Sequence, residues 1–162
     1  PGRLQFVDVG QPFQVVIDFA HTPAALTACL TELRQRTLGQ LLVVFGSAGD
    51  QDTQKRPMLG QAVSTLADLA IVTSEDPRSE CQANIAQSIL DGVLDNGSVF
   101  ETIHERRAAI ARAFELAKPG DVVLLAGKGH ERSIAHATYE ESWDEFQVSV
   151  ELLGTLGYTN PG

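Results

Sequence analysis

The chain has 162 residues, 43% hydrophobic and 20% charged, with a formal net charge of −9 and a pI near 4.8. That length suits one domain with a real core, and the acidic balance argues against a nucleic-acid or anionic-membrane partner, because neither tolerates an uncompensated acidic face. No apolar run approaches the ~18 residues of a transmembrane helix, and the N-terminus lacks the charged-then-apolar order of a signal peptide, so a cytoplasmic protein is expected.

Residues Arg3 to Val9 alternate weakly, and Gly10-Gln11-Pro12 turns them into Phe13-Gln14-Val15-Val16-Ile17-Asp18, a hairpin-like lead into the first buried strand. Asp18-Phe19-Ala20-His21-Thr22-Pro23 ends that strand; Thr22 can cap and Pro23 can open a helix with the stripe Leu26, Cys29, Leu30 and Leu33. Leu41-Leu42-Val43-Val44-Phe45 is too short for a stable isolated helix and suits a strand buried on both faces, as in a parallel sheet. Gly46 through Arg56 breaks the apolar pattern, Pro57 fits the first turn of a helix, and Met58, Leu59, Ala62, Val63 and Leu66 supply its stripe. Asp68 to Thr73 reads as a strand ending in Ser74-Glu75-Asp76-Pro77-Arg78-Ser79-Glu80, followed by a helix marked by Ile85, Ile89, Leu90 and Val93. After the turn at Asp95-Asn96-Gly97 come a short strand, Val99 to Ile103, and a helix carrying Ala109, Ile110, Ala113, Phe114 and Ala117, which Pro119-Gly120 stops. Asp121 to Ala126 is the fifth buried strand and runs into Gly127-Lys128-Gly129-His130-Glu131-Arg132. A last helix carries Trp143, Phe146 and Val150, and a tail begins at Gly154. Strands alternating with helices predict an α/β, Rossmann-like, doubly wound fold: a mostly parallel sheet of about six strands with helices on both faces. Cys29 and Cys81 lack metal-ligand spacing and read as buried or half-buried free thiols.

Right-handed crossovers place the carboxyl ends of such strands on one edge, where open α/β sheets bind ligands. Asp18 and His21, Asp50 to Arg56, Glu75 to Glu80, and Lys128 to Glu131 therefore converge on one rim. Each cluster alone also suits ordinary turn-making; four on one edge are harder to ascribe to turns. A P-loop ending at Lys128 needs glycine where Val122 stands and Ser or Thr where Gly129 stands, and a dinucleotide fingerprint needs glycine where Arg132 stands, so neither is present. His21, His104, His130 and His136 form no metal pair on a helix face, and no metal site is expected. Without a nucleophile elbow or a Cys-His pair, the loops read as groups that position and polarise.

Taken together, Pro1-Gly2-Arg3, Asp18-Phe19-Ala20-His21-Thr22-Pro23, Gly49-Asp50 through Lys55-Arg56-Pro57, Asp76-Pro77-Arg78-Ser79-Glu80 and Ala126-Gly127-Lys128-Gly129-His130-Glu131 resemble, in family order and over nearly the whole chain, the C-terminal domain of the Mur ligases. The likeness is nearest to the MurE type, which adds the third amino acid to UDP-N-acetylmuramoyl-dipeptide; folylpolyglutamate synthases and cyanophycin synthetase share the domain but resemble its loops less. The resemblance implies an ATP-dependent, magnesium-dependent ligase in peptidoglycan synthesis that passes from carboxylate through acyl phosphate to amide. It also implies that residues 1–162 are the closing domain alone, that the UDP-binding and central P-loop domains precede it, that the P-loop domain holds the magnesium, and that this chain by itself does not turn over.

Carried over by resemblance, Asp18 accepts the ribose hydroxyls of ATP and His21 lies beside the nucleotide, while Lys55 and Arg56 face the phosphates or acyl phosphate as the catalytic cations. Gln51, Asp76, Arg78, Gly127 and Glu131 form the side that receives the free amino acid, with Arg78 as a bidentate partner for a carboxylate. Read from the residues alone, Asp18 and Asp76 equally suit helix or turn caps, Arg78 a surface salt bridge and Glu131 a solvated face. Two positions depart from the family. Glu75-Asp76-Pro77-Arg78 stands where diaminopimelate-adding enzymes have Asp-Asn-Pro-Arg, and Gln51 stands where the family has an Arg on the amino-acid carboxylate. Both changes fall on the amino-acid side, so the amino acid added, diaminopimelate, lysine or similar, stays open. The alternatives are a ligase of the same superfamily acting on a folate or poly-amino-acid chain, and a non-catalytic nucleotide- or partner-binding domain.

Overall fold

The computed structural model describes residues 2–159, so Pro1 of the Pro1-Gly2-Arg3 motif and the end of the tail lie outside the described residues. The elements are β1 (Gln5–Val7), β2 (Gln14–Asp18), α1 (Pro23–Arg36), β3 (Leu41–Phe45), α2 (Lys55–Leu66), β4 (Leu69–Val72), α3 (Gln82–Leu90), β5 (Val99–Thr102), α4 (Arg106–Leu116), β6 (Val122–Ala126), β7 (Ser133–Ala135), β8 (Glu140–Ser142) and α5 (Glu145–Thr155). Six strands form one sheet in the order β1-β2-β6-β3-β4-β5. β1 pairs antiparallel with β2, and every other pairing in that sheet is parallel.

The apolar runs behave as two-sided strands. Leu41, Val43 and Phe45 join Leu26, Leu30, Leu59, Val63 and Ile85 in a core against α1, α2 and α3, whereas Leu42 and Val44 face Ile110, Phe114, Leu152 and Leu153 of α4 and α5. The alternation follows from the two-residue period of a strand. Thr22 caps α1 by accepting from the Ala25 N–H at 3.2 Å, with Pro23 at the first helical position. Its stripe of Leu26, Cys29, Leu30 and Leu33 is buried, and burial pushes the Cys29 thiol up to about 12.

The structure corrects the pattern at several places. α5 starts at Glu145 behind the Asp144 cap, so Trp143 lies outside the helix, Phe146 is exposed and Val150 is half-buried. The buried face is Val148, Ser149, Leu152 and Leu153, a frame the heavier aromatics obscured. Met58 is exposed on α2, where Leu59, Gly60 and Val63 carry the packing. Cys81 is exposed at the N-cap of α3. The β7–β8 hairpin was not expected, because its strands have three residues each and β8 is wholly exposed.

α2 and α3 approach closely because Gly60 and Gly92 have no side chain. A Cβ on Gly60 would stand 2.0 Å from the Ile89 carbonyl oxygen, and one on Gly92 would stand 1.8 Å from that of Pro57. An alanine in an exposed helix interior stabilises by roughly 0.5–1 kcal/mol over glycine. At Gly60 the backbone clash outweighs it: Gly60→Ala is expected to lower stability by about 1–3 kcal/mol, read as a fall in the urea midpoint at unchanged m-value. A stabilised variant would show that the two helices separate freely.

Candidate functional site

β2, β6, β3 and β4 lie side by side in the sheet, so the loops after Asp18, Ala126, Phe45 and Val72 meet along one edge. From β2 to β4 is three strand spacings, about 14 Å, a span within which one extended ligand can touch every loop.

At the β2 end, Asp18 accepts from the Leu4 N–H at 2.9 Å through one oxygen and from the Ala20 N–H at 2.8 Å through the other. A carboxylate has about four acceptor sites, so each oxygen keeps capacity. The His21 ring lies 2.9 Å through Nδ1 from the Phe19 carbonyl and stands edge-on to the Phe19 ring. Lys55, first residue of α2, crosses to this end; its ammonium reaches the His21 carbonyl at 3.5 Å and pairs with no carboxylate among the described residues.

Arg56 is placed differently from Lys55. It is buried, forms a two-pronged ion pair with Glu80 and donates to the Ala48 carbonyl at 3.1 Å. It thereby ties the 46–54 loop to the 74–80 loop instead of facing solvent with Lys55. The hydrogen bonds from Arg56 and from the Asp50 N–H hold Glu80 down at about 2. Asp50, at φ 55°, accepts from the N–H and hydroxyl of Ser79, which locks the same two loops again. Gln51 is exposed beyond this knot.

The β4 loop holds the acidic centre. One Asp76 oxygen accepts from Lys128 Nζ at 2.9 Å and from the Ala135 N–H at 2.7 Å, so Asp76 joins the β6 loop to the hairpin. Lys128 is fully buried, with Glu131 at 3.6 Å and partly exposed. Arg78, at φ 52°, donates to the Gly49 carbonyl at 3.0 Å through one guanidinium nitrogen, and among the described residues its other guanidinium donors have no partner. Gly127 has φ 105°, and a Cβ there would lie 2.8 Å from a Glu75 carboxylate oxygen.

The sequence placed Glu75 and Lys128 on the rim without giving either a role, and it did not single out Arg106 at all; all three carry this arrangement. Glu75 is buried against Gly127, and burial pushes its carboxyl up to about 7 despite the pull of Arg106, Lys55, His21 and Lys128. Its only sequence signal is its place in the Glu75-Asp76-Pro77-Arg78 motif. The rim thus offers Lys55 and the Asp18–His21 corner at one end, Arg78 and Glu131 at the other, and a carboxyl that titrates near neutrality in the same cluster. Among the described residues no group of three His, Cys, Asp or Glu side chains could hold a metal ion.

The family model for "Mur ligase, glutamate ligase domain" matches residues 2–129. A UDP-N-acetylmuramyl-tripeptide synthetase of Roseiflexus sp. is 45% identical over 97% of this chain and 32% of its own length. A UDP-N-acetylmuramoyl-L-alanyl-D-glutamate–2,6-diaminopimelate ligase of Streptomyces coelicolor is 44% identical over 94% of this chain and 31% of its own. A solved structure of a ligase of that same description superimposes with a TM-score of 0.91 at 35% identity, covering 98% of this chain and 32% of that one. The chain therefore spans about a third of the length of the relatives it matches.

Glu75 makes stability depend on pH in a fixed direction. A carboxyl whose folded pKa stands above its unfolded value near 4.5 favours the fold fully below 4.5, and that contribution is lost as pH rises through about 7. The loss amounts to about 3 kcal/mol. Glu80 acts oppositely, stabilising above about 4.5 and losing its contribution as pH falls through about 2. Between pH 5 and 8, wild-type stability is expected to fall relative to Glu75→Gln, measured by urea titration at each pH. Parallel curves would place the Glu75 carboxylate in water.

Proposed function

The chain belongs to the Mur ligase family as its glutamate ligase domain, and we propose that it closes the active site of an ATP-dependent, amide-forming ligase of peptidoglycan synthesis that adds an amino acid to UDP-N-acetylmuramoyl-dipeptide. The observation that carries this reading is the meeting of two differently equipped corners on one rim: a carboxylate, an imidazole and an unpaired lysine at Asp18, His21 and Lys55, and an open guanidinium beside acidic groups at Arg78, Asp76 and Glu131.

In this reading Asp18 accepts the ribose hydroxyls of ATP, His21 lies beside the nucleotide, and Lys55 offsets negative charge that grows on the phosphoryl oxygens. Arg56 acts through position, since its guanidinium holds the Lys55 end of α2 against the 46–54 and 74–80 loops. Arg78 takes a carboxylate of the incoming amino acid. Glu131 and the backbone at Gly127 receive an ammonium end, with Asp76 orienting Lys128 and the hairpin behind them. Gln51 leaves the neighbouring carboxylate contact uncharged. The residues present fit ATP at the ribose and phosphate side, whereas magnesium would be held by a preceding P-loop domain, as would the UDP-sugar by another; both domains are partners of this reading. The reaction needs a deprotonated amine to attack an acyl phosphate, and the chain's own groups bind, orient and shield it.

The test restores the full-length protein and follows ADP release with UDP-N-acetylmuramoyl-dipeptide and diaminopimelate, lysine, ornithine or glutamate. Turnover with one diamino acid is expected, and none from residues 1–162 alone. Arg78→Ala is expected to raise the amino-acid KM by about 10–150-fold, the equivalent of one charge-assisted bond of about 1.5–3 kcal/mol, with the KM for ATP unchanged. Absence of ADP release with all four amino acids would overturn the reading.

A further inference from the structure

Beside Arg78 lies an open cavity of about 500 Å³, walled by Asp50 and Ser79 on one side and by the β7–β8 turn from Ala135 to Glu140 on the other. That volume falls within the range of small-molecule sites. Of the residues assigned above to a substrate, Arg78 alone lines it.

The turn is exposed yet fixed in place. The Ala135 N–H donates to Asp76 at 2.7 Å and the Ala135 carbonyl accepts from the Arg78 N–H at 3.0 Å, so the hairpin is bonded to the segment that carries Arg78. A parallel bridge sets His136 beside Arg78. Across the turn the His136 N–H donates to the Tyr139 carbonyl at 2.9 Å, and His136 Nε2 meets Glu141 at 2.9 Å. The imidazole and the phenol then stack, with ring centroids 4.5 Å apart and planes at 15°. A turn that only reverses the chain is made by backbone conformation and needs no such stack. Here the stack holds the Tyr139 ring although Tyr139 stays 61% exposed, and a ring already ordered loses less freedom when a ligand covers it.

The free groups of the cavity differ in kind. Among the described residues the Arg78 guanidinium bonds only to the Gly49 carbonyl. Asp50 spends Oδ2 on the N–H and hydroxyl of Ser79 and leaves Oδ1 without a hydrogen bond, and the exposed Glu140 carboxylate pairs with no described cation. A substrate carboxylate therefore finds its counter-charge at Arg78, whereas a second one in the cavity meets like charge at Asp50 and Glu140. Tyr139 adds a large apolar ring, which a chain of methylenes complements.

We propose that the hairpin turn is a wall of the amino-acid site and that Tyr139 is a specificity-determining residue: its phenol, backed by His136, covers the methylene stem of an amino acid whose carboxylate Arg78 holds. The proposal rests on the reading of Arg78 given above and adds what selects the stem. A long-stemmed diamino acid is favoured over glutamate, which brings a second carboxylate toward Asp50 and Glu140 and little stem to Tyr139.

The test uses the full-length protein with 3-fluorotyrosine at position 139, titrated with diaminopimelate, lysine, ornithine and glutamate, alongside the steady-state kinetics of Tyr139→Ala and Tyr139→Phe. A saturable ¹⁹F shift with at least one diamino acid is expected, and less than a tenth of it with glutamate. Tyr139→Ala is expected to raise the KM for that diamino acid about tenfold, roughly the effect of two methylenes returned to water, with kcat and the KM for ATP unchanged. Tyr139→Phe keeps the ring and is expected to stay within about twofold of wild type. A merely structural role would move kcat and the KM for ATP as well. The ¹⁹F signal comes from a protein with the ring intact, so it decides even where Tyr139→Ala fails to fold. Turnover with an unchanged amino-acid KM in Tyr139→Ala, turnover without a saturable shift, or an equal shift with glutamate would overturn the proposal and leave the ligase reading standing. A saturable shift without ADP release would overturn the ligase reading and leave the hairpin as an amino-acid wall, and absence of both would overturn both.

Discussion

The rim hangs on one buried ion pair. Arg106 and Glu145 are both fully out of water, and Glu145 pushes the guanidinium pKa up against the opposing effect of burial. Burying two such charges is unfavourable by several kcal/mol each unless their remaining bonds are made. Here they are made: Arg106 donates twice to Glu145 and once each to the carbonyls of Ser74 and Ala126, and Glu145 also accepts from Trp143. Those carbonyls lie just past the end of β4 and at the end of β6, the strands that flank β3. One guanidinium therefore sets the distance between the loops that carry Glu75 and Gly127, and it does so from α4 while drawing in the start of α5.

Arg56 does the corresponding work from the opposite face of the sheet. It reaches from α2 to Glu80 and Ala48, so the 74–80 loop is gripped by an arginine on each side. Held this way, the loops tolerate Asp50 and Arg78 in the left-handed region, at φ 55° and 52°. For an ordinary side chain that conformation is unfavourable by about 1–3 kcal/mol unless its surroundings over-determine it. The bonds of Asp50 to Ser79, and of the Arg78 N–H and guanidinium to Ala135 and Gly49, supply that determination. The conformation turns Arg78 out of the strand direction.

What the sequence could reveal follows from what it encodes locally. Five apolar runs flanked by turn residues fixed the strands, because a strand buried on both faces leaves no other reading for Leu41–Phe45 or Val122–Ala126. The edge strand β1 and the cap at Thr22 were equally legible. Burial of charge was not: Arg106 and Arg107 are adjacent and alike in the sequence, yet Arg106 is buried and Arg107 is exposed to form a surface pair with Glu151. Nothing within a few residues of Arg106 distinguishes it from its neighbour, since its partners lie 20 to 39 positions away. The hairpin escaped for a related reason. Its pairing rests on long-range anchors, the Arg78–His136 bridge and the Asp76–Ala135 bond, which no local periodicity announces.

The same distinction decides what the net charge of −9 means for the site. Whole-chain charge governs encounter with polyanions, but the rim is governed by which charges are already answered. Arg56, Lys128 and Arg106 each face a carboxylate at hydrogen-bond distance, and so add rigidity without adding attraction for an anion. Among the described residues the Lys55 ammonium meets only a carbonyl at 3.5 Å and the Arg78 guanidinium only a carbonyl at 3.0 Å, so these two keep unneutralised charge although the chain as a whole is acidic. Glu75 feels Lys55 and His21 of one corner together with Lys128 and Arg106 of the other, and its proton is balanced near neutrality between that pull and its own burial.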